Sequence, residues 1–135
     1  MFDLEKWRVE GLYTAFGTCA DRGDGAALSE LFVSDGMLEM GNNELRGRQN
    51  IAEFVNARCA DPTRKTRHTW SNLRLEEEEG STFHTAAIQM TFEQNGVDKA
   101  PQLRVSDLVD TLQRDADGTW RFVSRRIHRQ ISLGT

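Results

Sequence analysis

A carboxylate set in an apolar row is the first chemical feature of this chain. In the run from Leu103 to Arg129, LRVSDLVDTLQRDADGTWRFVSRRIHR, two β-rich arms flank the turn cluster Asp115-Ala116-Asp117-Gly118. Alternation puts Ser106, Leu108, Asp110 and Leu112 on one face of the first arm, and Val105, Asp107, Val109 and Thr111 on the other. In the second arm it sets Trp120, Phe122, Ser124, Arg126 and His128 against Arg121, Val123, Arg125 and Ile127. Asp110 therefore stands between two leucines. An acid so placed is costly unless it is paired, protonated or used. Two readings follow: an ion pair, for which alternation favours Arg126, or a functional carboxyl with a shifted pKa.

A second acid, Asp21, ends the first helical pattern. A negative charge at a helix C-terminus opposes the macrodipole. That permits a functional use beside the plain reading of a turn acid. Of the three histidines, His68 shares a strand face with Trp70 and Asn72, His84 opens the next strand, and His128 reads as a solvated strand end. A metal site from His68, His84 and a carboxylate is the one set worth weighing. No dense ligand motif supports it, so neither metal nor organic cofactor is expected. There is no Gly-rich phosphate loop, and no Ser-His-Asp or Cys-His pairing is suggested.

The elements that must position these groups read clearly. Leu4, Trp7, Leu12, Ala15, Phe16 and Cys19 form a helical stripe over Leu4 to about Arg22. Gly23 fits its C-terminal cap, and Asp24 fits the N-cap of a second helix, Gly25 to Phe32. Gly36 to Met40 is a short strand, Leu45-Arg46 a possible return, and Arg48 to Ala57 a third helix. Thr66 to Leu75 alternates as a strand, with Glu76 to Glu79 and Gly80 as a charged turn that protects an edge. Thr82 to Gln94 is the next strand, with Ala86, Ile88, Met90 and Phe92 as its apolar face, and Asn95-Gly96 a turn before the hairpin. The order is helix, helix, short strand, helix, then four long antiparallel strands. That describes a single α+β domain over residues 1–135: three helices on one face of a curved antiparallel sheet, with a pocket at its open end.

Composition sets bounds on partners. At 135 residues, the chain can bury roughly two thirds of its unfolded surface. Its 38% hydrophobic and 28% charged content suits a soluble globular domain, and cytoplasmic residence is the expectation. A net charge of −4 with dispersed basic residues argues against nucleic acid. No apolar run approaches the ~18 residues of a membrane span, and the acidic, amphipathic start is unlike a signal peptide. Cys19 and Cys59 have no metal-ligand spacing and read as free thiols. The outer row Val105, Val109, Thr111, Val123 and Ile127 is half apolar, which predicts a homodimer through the outer sheet face.

The run FGTCADRGDGAALSELFVSDGMLEM, then LRGRQNIAEF, and the closing DGTWRF hairpin resemble the SnoaL-like, ketosteroid-isomerase-like superfamily, the cone-shaped fold of nuclear transport factor. The resemblance covers nearly the whole chain. It implies the cone fold, and functions that range over isomerases, dehydratases, cyclases, epoxide hydrolases and non-catalytic subunits. Anchored on Leu31-Phe32, the catalytic Tyr of ketosteroid isomerase falls on Phe16 and its Asp base on Met40. Only its protonated Asp has a counterpart, Asp110. The pattern of the bile-acid and scytalone-type dehydratases fits better. Their Asp near the end of the first helix corresponds to Asp21, and their His at the start of the first long strand to His68. Phe16 replaces a tyrosine of that branch, and Tyr13 is the only tyrosine in the chain.

The resemblance thus implies a cofactor-independent lyase or isomerase acting on a hydrophobic oxygenated ring compound such as a steroid, polyketide or aromatic metabolite. His68 would abstract a proton next to a carbonyl, with Asp21 fixing its tautomer. A protonated Asp110, Asn72 or Tyr13 would steady the enolate oxygen. Phe16, Met40, Trp70, Ile88, Met90, Leu108 and Arg126 would line the pocket with Tyr13 and Asn72. The alternatives are a small-ligand-binding or structural subunit, like the small subunit of ring-hydroxylating dioxygenases, and an epoxide hydrolase, for which Asp110 and Arg126 supply part of an Asp-Arg-Asp set.

Overall fold

The computed structural model describes residues 3–134. Helix α1 spans Leu4–Arg22, with Asp3 accepting from the backbone of Lys6 at its start. Gly23 ends it in the left-handed region at φ 67°, which costs glycine little. Helix α2 is only Gly25–Ser29, capped by the Asp24 side chain. The expected extension to Phe32 does not form. Phe122 N–H donates to the Leu31 carbonyl at 2.8 Å, so this segment already belongs to the sheet. Strand β1 accordingly runs Phe32–Met40, longer than the expected Gly36 to Met40, and β2 is Asn43–Arg46. Helix α3 is Arg48–Arg58.

Four long strands follow: β3 Arg64–Glu79, β4 Thr82–Asn95, β5 Gln102–Arg114 and β6 Trp120–Leu133. The sheet order is β2-β1-β6-β5-β4-β3. β3 to β6 form an antiparallel meander, and β1 joins β6 in parallel. The sheet curls without closing, and the helices pack on one side of it. Glu76 to Glu79 are the end of β3 rather than a turn, and Gly80 at φ 61° makes the turn. Since β3 is an edge strand, these four charges still guard an open edge against pairing with another chain.

The inner face holds a core of α1, α3 and sheet residues, among them Leu12, Phe16, Phe32, Ile51, Leu108, Leu112 and Phe122. Two bulges decide which side chains reach it. In the β5–β6 pairing, Leu112 faces Phe122 but Thr111 faces Ser124, so Val123 is an extra residue. Beyond it the alternation reverses. Arg125 and Ile127 turn inward, while Arg126 is exposed and pairs with Glu39 at 3.3 Å. Arg126 is therefore not the inner arginine. In β3 a bulge between Ser71 and Arg74 leaves Asn72 exposed at φ 57°, and Leu73 packs against the core instead.

Strand β4 reverses a further expectation. Its inner row is Phe83, Thr85, Ala87, Gln89, Thr91 and Glu93, paired through Leu112, Asp110 and Leu108 to β5. Ile88, Met90 and Phe92 lie on the outer face. Ile88 and Met90 are the two that the sequence reading assigns to the pocket. The inner row is in fact more polar, and part of it lines a cavity.

Candidate active site

Asp21 and His68 meet where the last turn of α1 crosses β3. His68 Nδ1 lies 2.6 Å from Asp21 Oδ1, and His68 N–H donates to Asp21 Oδ2 at 3.1 Å. Thr66 Oγ1 donates to Asp21 Oδ1 at 2.9 Å. Burial pushes the Asp21 carboxyl up, but the His68 ring and backbone bonds, the His68 charge and the Thr66 hydroxyl outweigh it. The carboxyl is held below its usual range. It is thus an acceptor at neutral pH, and it fixes Nδ1 as the protonated ring nitrogen of neutral His68. Nε2 is left as the basic atom, with no hydrogen bond among the described residues.

The close crossing depends on Gly17. A Cβ there would sit 3.1 Å from His68 Cβ and 3.3 Å from its carbonyl oxygen, so a side chain at this position would press on the histidine.

His68 lines two adjoining cavities. The larger, about 700 Å³, runs between the helices and the sheet and is walled by Phe16, Leu38, Met40, Val55, Gln89 and Ile127 among others. Its volume lies within the ~300–1,000 Å³ typical of small-molecule sites. The smaller, about 260 Å³, is bounded by Tyr13, Trp70, Gln89, Leu108 and Arg125. Gln89 borders both. It is buried at 6% exposure, yet its amide makes no side-chain hydrogen bond among the described residues.

Asp110 belongs to a separate buried network. Arg125 Nε and Nη2 donate to its two oxygens at 2.9 Å each, and the Tyr13 hydroxyl donates to Oδ2 in a short bond. With the Tyr13 proton so placed, the Thr85 hydroxyl donates to Tyr13 at 2.8 Å. The Arg125 guanidinium lies 4.6, 4.4 and 4.3 Å from the ring centroids of Tyr13, Phe16 and Phe122. Burial opposes its charge, but Asp110 beside it prevails and raises the Arg125 pKa. Burial, then the Asp110 charge, drives the Tyr13 phenol far above its ordinary value. Asp110 is fully used as an acceptor and lines neither cavity, so the arrangement is the ion pair of the two readings, with Arg125 in place of Arg126. A carboxyl accepting three such bonds offers no donor to a substrate.

Of the other expected residues, Phe16 and Met40 line the larger cavity, and Tyr13, Trp70 and Leu108 the smaller. Trp70 Nε1 donates to Thr14 at 3.1 Å. Asn72, Ile88, Met90 and Arg126 do not reach either cavity, for the bulge and face reasons given above. His84 bonds Thr111 at 3.2 Å on the outer face, so it cannot share a ligand set with His68. Among the described residues, no three His, Cys, Asp or Glu side chains gather as a metal site, and no helix is long and apolar enough to cross a membrane.

Sequence reading missed Gln89 and four arginines, Arg58, Arg64, Arg104 and Arg129, which come from α3, β3, β5 and β6 to line the larger cavity. The only sequence signal for Gln89 was a polar residue inside the apolar stretch Ala86 to Met90. The arginines gave none, being up to 71 positions apart (129 − 58).

The fold is shared with solved structures. A proposed scytalone dehydratase from Novosphingobium aromaticivorans superposes with a TM-score of 0.86 at 17% identity, over 98% of this chain and 88% of that one. ActVI-ORFA from Streptomyces coelicolor gives 0.81 at 20% identity, over 93% and 96%. An NTF2-like protein with a cystatin-like fold, also from N. aromaticivorans, gives 0.75 at 29% identity, over 91% and 80%. No curated protein sequence matches. The SnoaL-like domain profile matches residues 4–126, from the first turn of α1 to the strand that carries Arg125, and the chain belongs to that family.

Proposed function

We propose that this domain is a cofactor-independent lyase or isomerase of dehydratase or cyclase type, acting on an oxygenated ring compound by removing a proton next to a carbonyl. The observation that carries this reading is the Asp21–His68 pair, with Nε2 unbonded among the described residues and His68 on the wall of a cavity of ligand size. Likeness of fold to a proposed scytalone dehydratase supports it.

In the first step, His68 Nε2 takes the proton while Asp21 holds Nδ1–H and steadies the imidazolium that forms. The electron pair of the broken C–H bond moves onto the carbonyl oxygen. Gln89 is the donor suited to that oxygen, since its amide borders both cavities beside His68 and is otherwise unengaged. It replaces Asp110, Asn72 and Tyr13 in this role. The enolate then expels a β-hydroxyl as water, in a lyase, or is reprotonated at another carbon, in an isomerase. His68, now an imidazolium, can return the proton in either case.

The test is a screen of cyclic β-hydroxy ketones for loss of water, and of cyclic ketones for deuterium uptake from D₂O. Turnover should fall by about 10²–10⁴-fold in His68→Ala. Wild-type turnover in His68→Ala would sink the reading. A ligand-binding subunit is the second reading. It is favoured by the absence of a tyrosine at Phe16, with Tyr13 already engaged by Asp110.

A further inference from the structure

The larger cavity is positively charged in a protein whose net charge is −4. Glu93 is buried at 4% exposure and serves three arginines. Arg64 Nη2 lies 2.6 Å from it, Arg104 makes a short ion pair, and Arg58 stands at 3.8 Å. Three guanidinium groups thus share one carboxylate. Arg129, also on the cavity wall, has no ion-pair partner among the described residues. The one acid on that wall, Glu39, is engaged by Arg126 at 3.3 Å and by His128 at 3.9 Å. Burial, then the charges of Arg64 and Arg104, depress the Arg58 pKa against the pull of Glu93, as expected where cations outnumber anions.

Register sets this charge relative to the base. Thr91 of β4 pairs with His68 on one side and with Arg104 on the other. His68 and Arg104 are therefore two strands apart in one row, about 10 Å between Cα atoms. A rigid ring system can span that gap.

We propose that the Arg58–Arg104–Arg129 wall binds an anionic group, a carboxylate in the first instance, so that the substrate is a ring compound bearing an acid one ring-width from the carbon that His68 deprotonates. The substrate class rests on the catalytic reading above; the anion site does not. Arg58, 3.8 Å from Glu93, and Arg129 supply planar pairs of N–H donors, the geometry a carboxylate accepts from best, while Arg104, with Nη1 on Glu93 and Nη2 on Gln102 at 3.1 Å, adds charge and its remaining N–H groups. Arg64 is already committed to Glu93 through Nε and Nη2 and serves to hold that acid in place.

The experiment compares 2-naphthoate with the neutral 2-naphthamide, by calorimetry at low salt, on the wild-type protein, on the double variant Arg58→Gln/Arg129→Gln and on His68→Ala. Both arginines of the double variant are substantially exposed, so the fold should survive; an unchanged thermal midpoint checks this. Naphthoate should bind at least about tenfold more tightly than the amide to the wild type and to His68→Ala, and lose that preference in the double variant. Equal binding of acid and amide by the wild type would overturn the anion site. So would a preference that survives in the folded double variant. Failure of the catalytic reading shows separately, as turnover insensitive to His68→Ala alongside an intact naphthoate preference.

Discussion

The Asp21 carboxylate holds His68 twice, once through the ring at 2.6 Å and once through the backbone N–H at 3.1 Å. The two bonds separate what a substitution would do. Asp21→Asn can still accept from the backbone, so strand and helix stay joined. Its amide oxygen is a weaker partner for an imidazolium, and its NH₂ can select the wrong tautomer. Activity on a substrate found by the screen should fall by about 10²-fold or more. The change in thermal midpoint should be small, and kinetics with circular dichroism on one preparation would check both.

Gly17→Ala brings two effects of similar size into conflict. Alanine gains up to about 1 kcal/mol of helix propensity over glycine. Its methyl must then be accommodated 3.1 Å from His68 Cβ. We expect a thermal midpoint within a few degrees of wild type but a displaced histidine. The His68 ring nitrogen signals in ¹⁵N NMR should move, and turnover should drop. Unmoved signals would show that the crossing has slack.

Asp110→Asn should be the most damaging single change to stability. It leaves Arg125 buried at 1% exposure without its counter-charge. Breaking a buried pair in this way costs about 3–5 kcal/mol. Tyr13→Phe removes only a hydrogen bond to the same carboxylate and should cost about 1–3 kcal/mol. Urea unfolding of the two variants would rank them, and the opposite order would contradict the geometry.

Acid should weaken the fold through Asp21 and Glu93. Burial raises Glu93, but its bonds and charges from Arg64, Arg104 and Arg58 prevail, so both carboxyls titrate below their usual range when folded. Their unfolded values are about 3.9 and 4.3. Below about pH 5 the unfolded chain therefore takes up protons before the folded one. The stabilisation is complete above that pH and is lost as pH falls through the folded values. Glu93→Gln should show a lower plateau and a shallower acid limb in thermal midpoints measured from pH 7 to 3.

The outer sheet face exposes Phe92 at 45%, Val109 at 43% and Ile131 at 54%. Ile127, expected there, faces the cavity instead. The remaining apolar surface is still one that a dimer would cover. Light scattering should give twice the chain mass, and Val109→Asp should reduce it to the chain mass.

Periodicity was enough for α1 and α3 and for the chain order of the long strands, because each of these repeats its own apolar spacing. It failed for Arg125 because one added residue, Val123, reverses inside and outside as far as Arg129, where a second added residue, Gln130, restores it, and nothing in VSRRIH announces it. It failed for β4 because apolar residues mark a face that wants cover without saying which side provides it; Ile88 and Met90 are on the outer side. Asp21 and His68 were found through family pattern rather than spacing. The arginine wall needed the sheet register itself.

Helix α1 is tied to the sheet by two buried or half-buried carboxylate contacts, Tyr13 to Asp110 and Asp21 to His68, eight residues or about 12 Å apart along its axis. Mechanically it is a beam pinned at these two points. Rolling or sliding it would break one of them, which holds that wall of the cavity in place. The opposite wall, between α3 and the β1–β2 turn at Gly41-Asn42, is the one whose lining is exposed, with Arg58 on it.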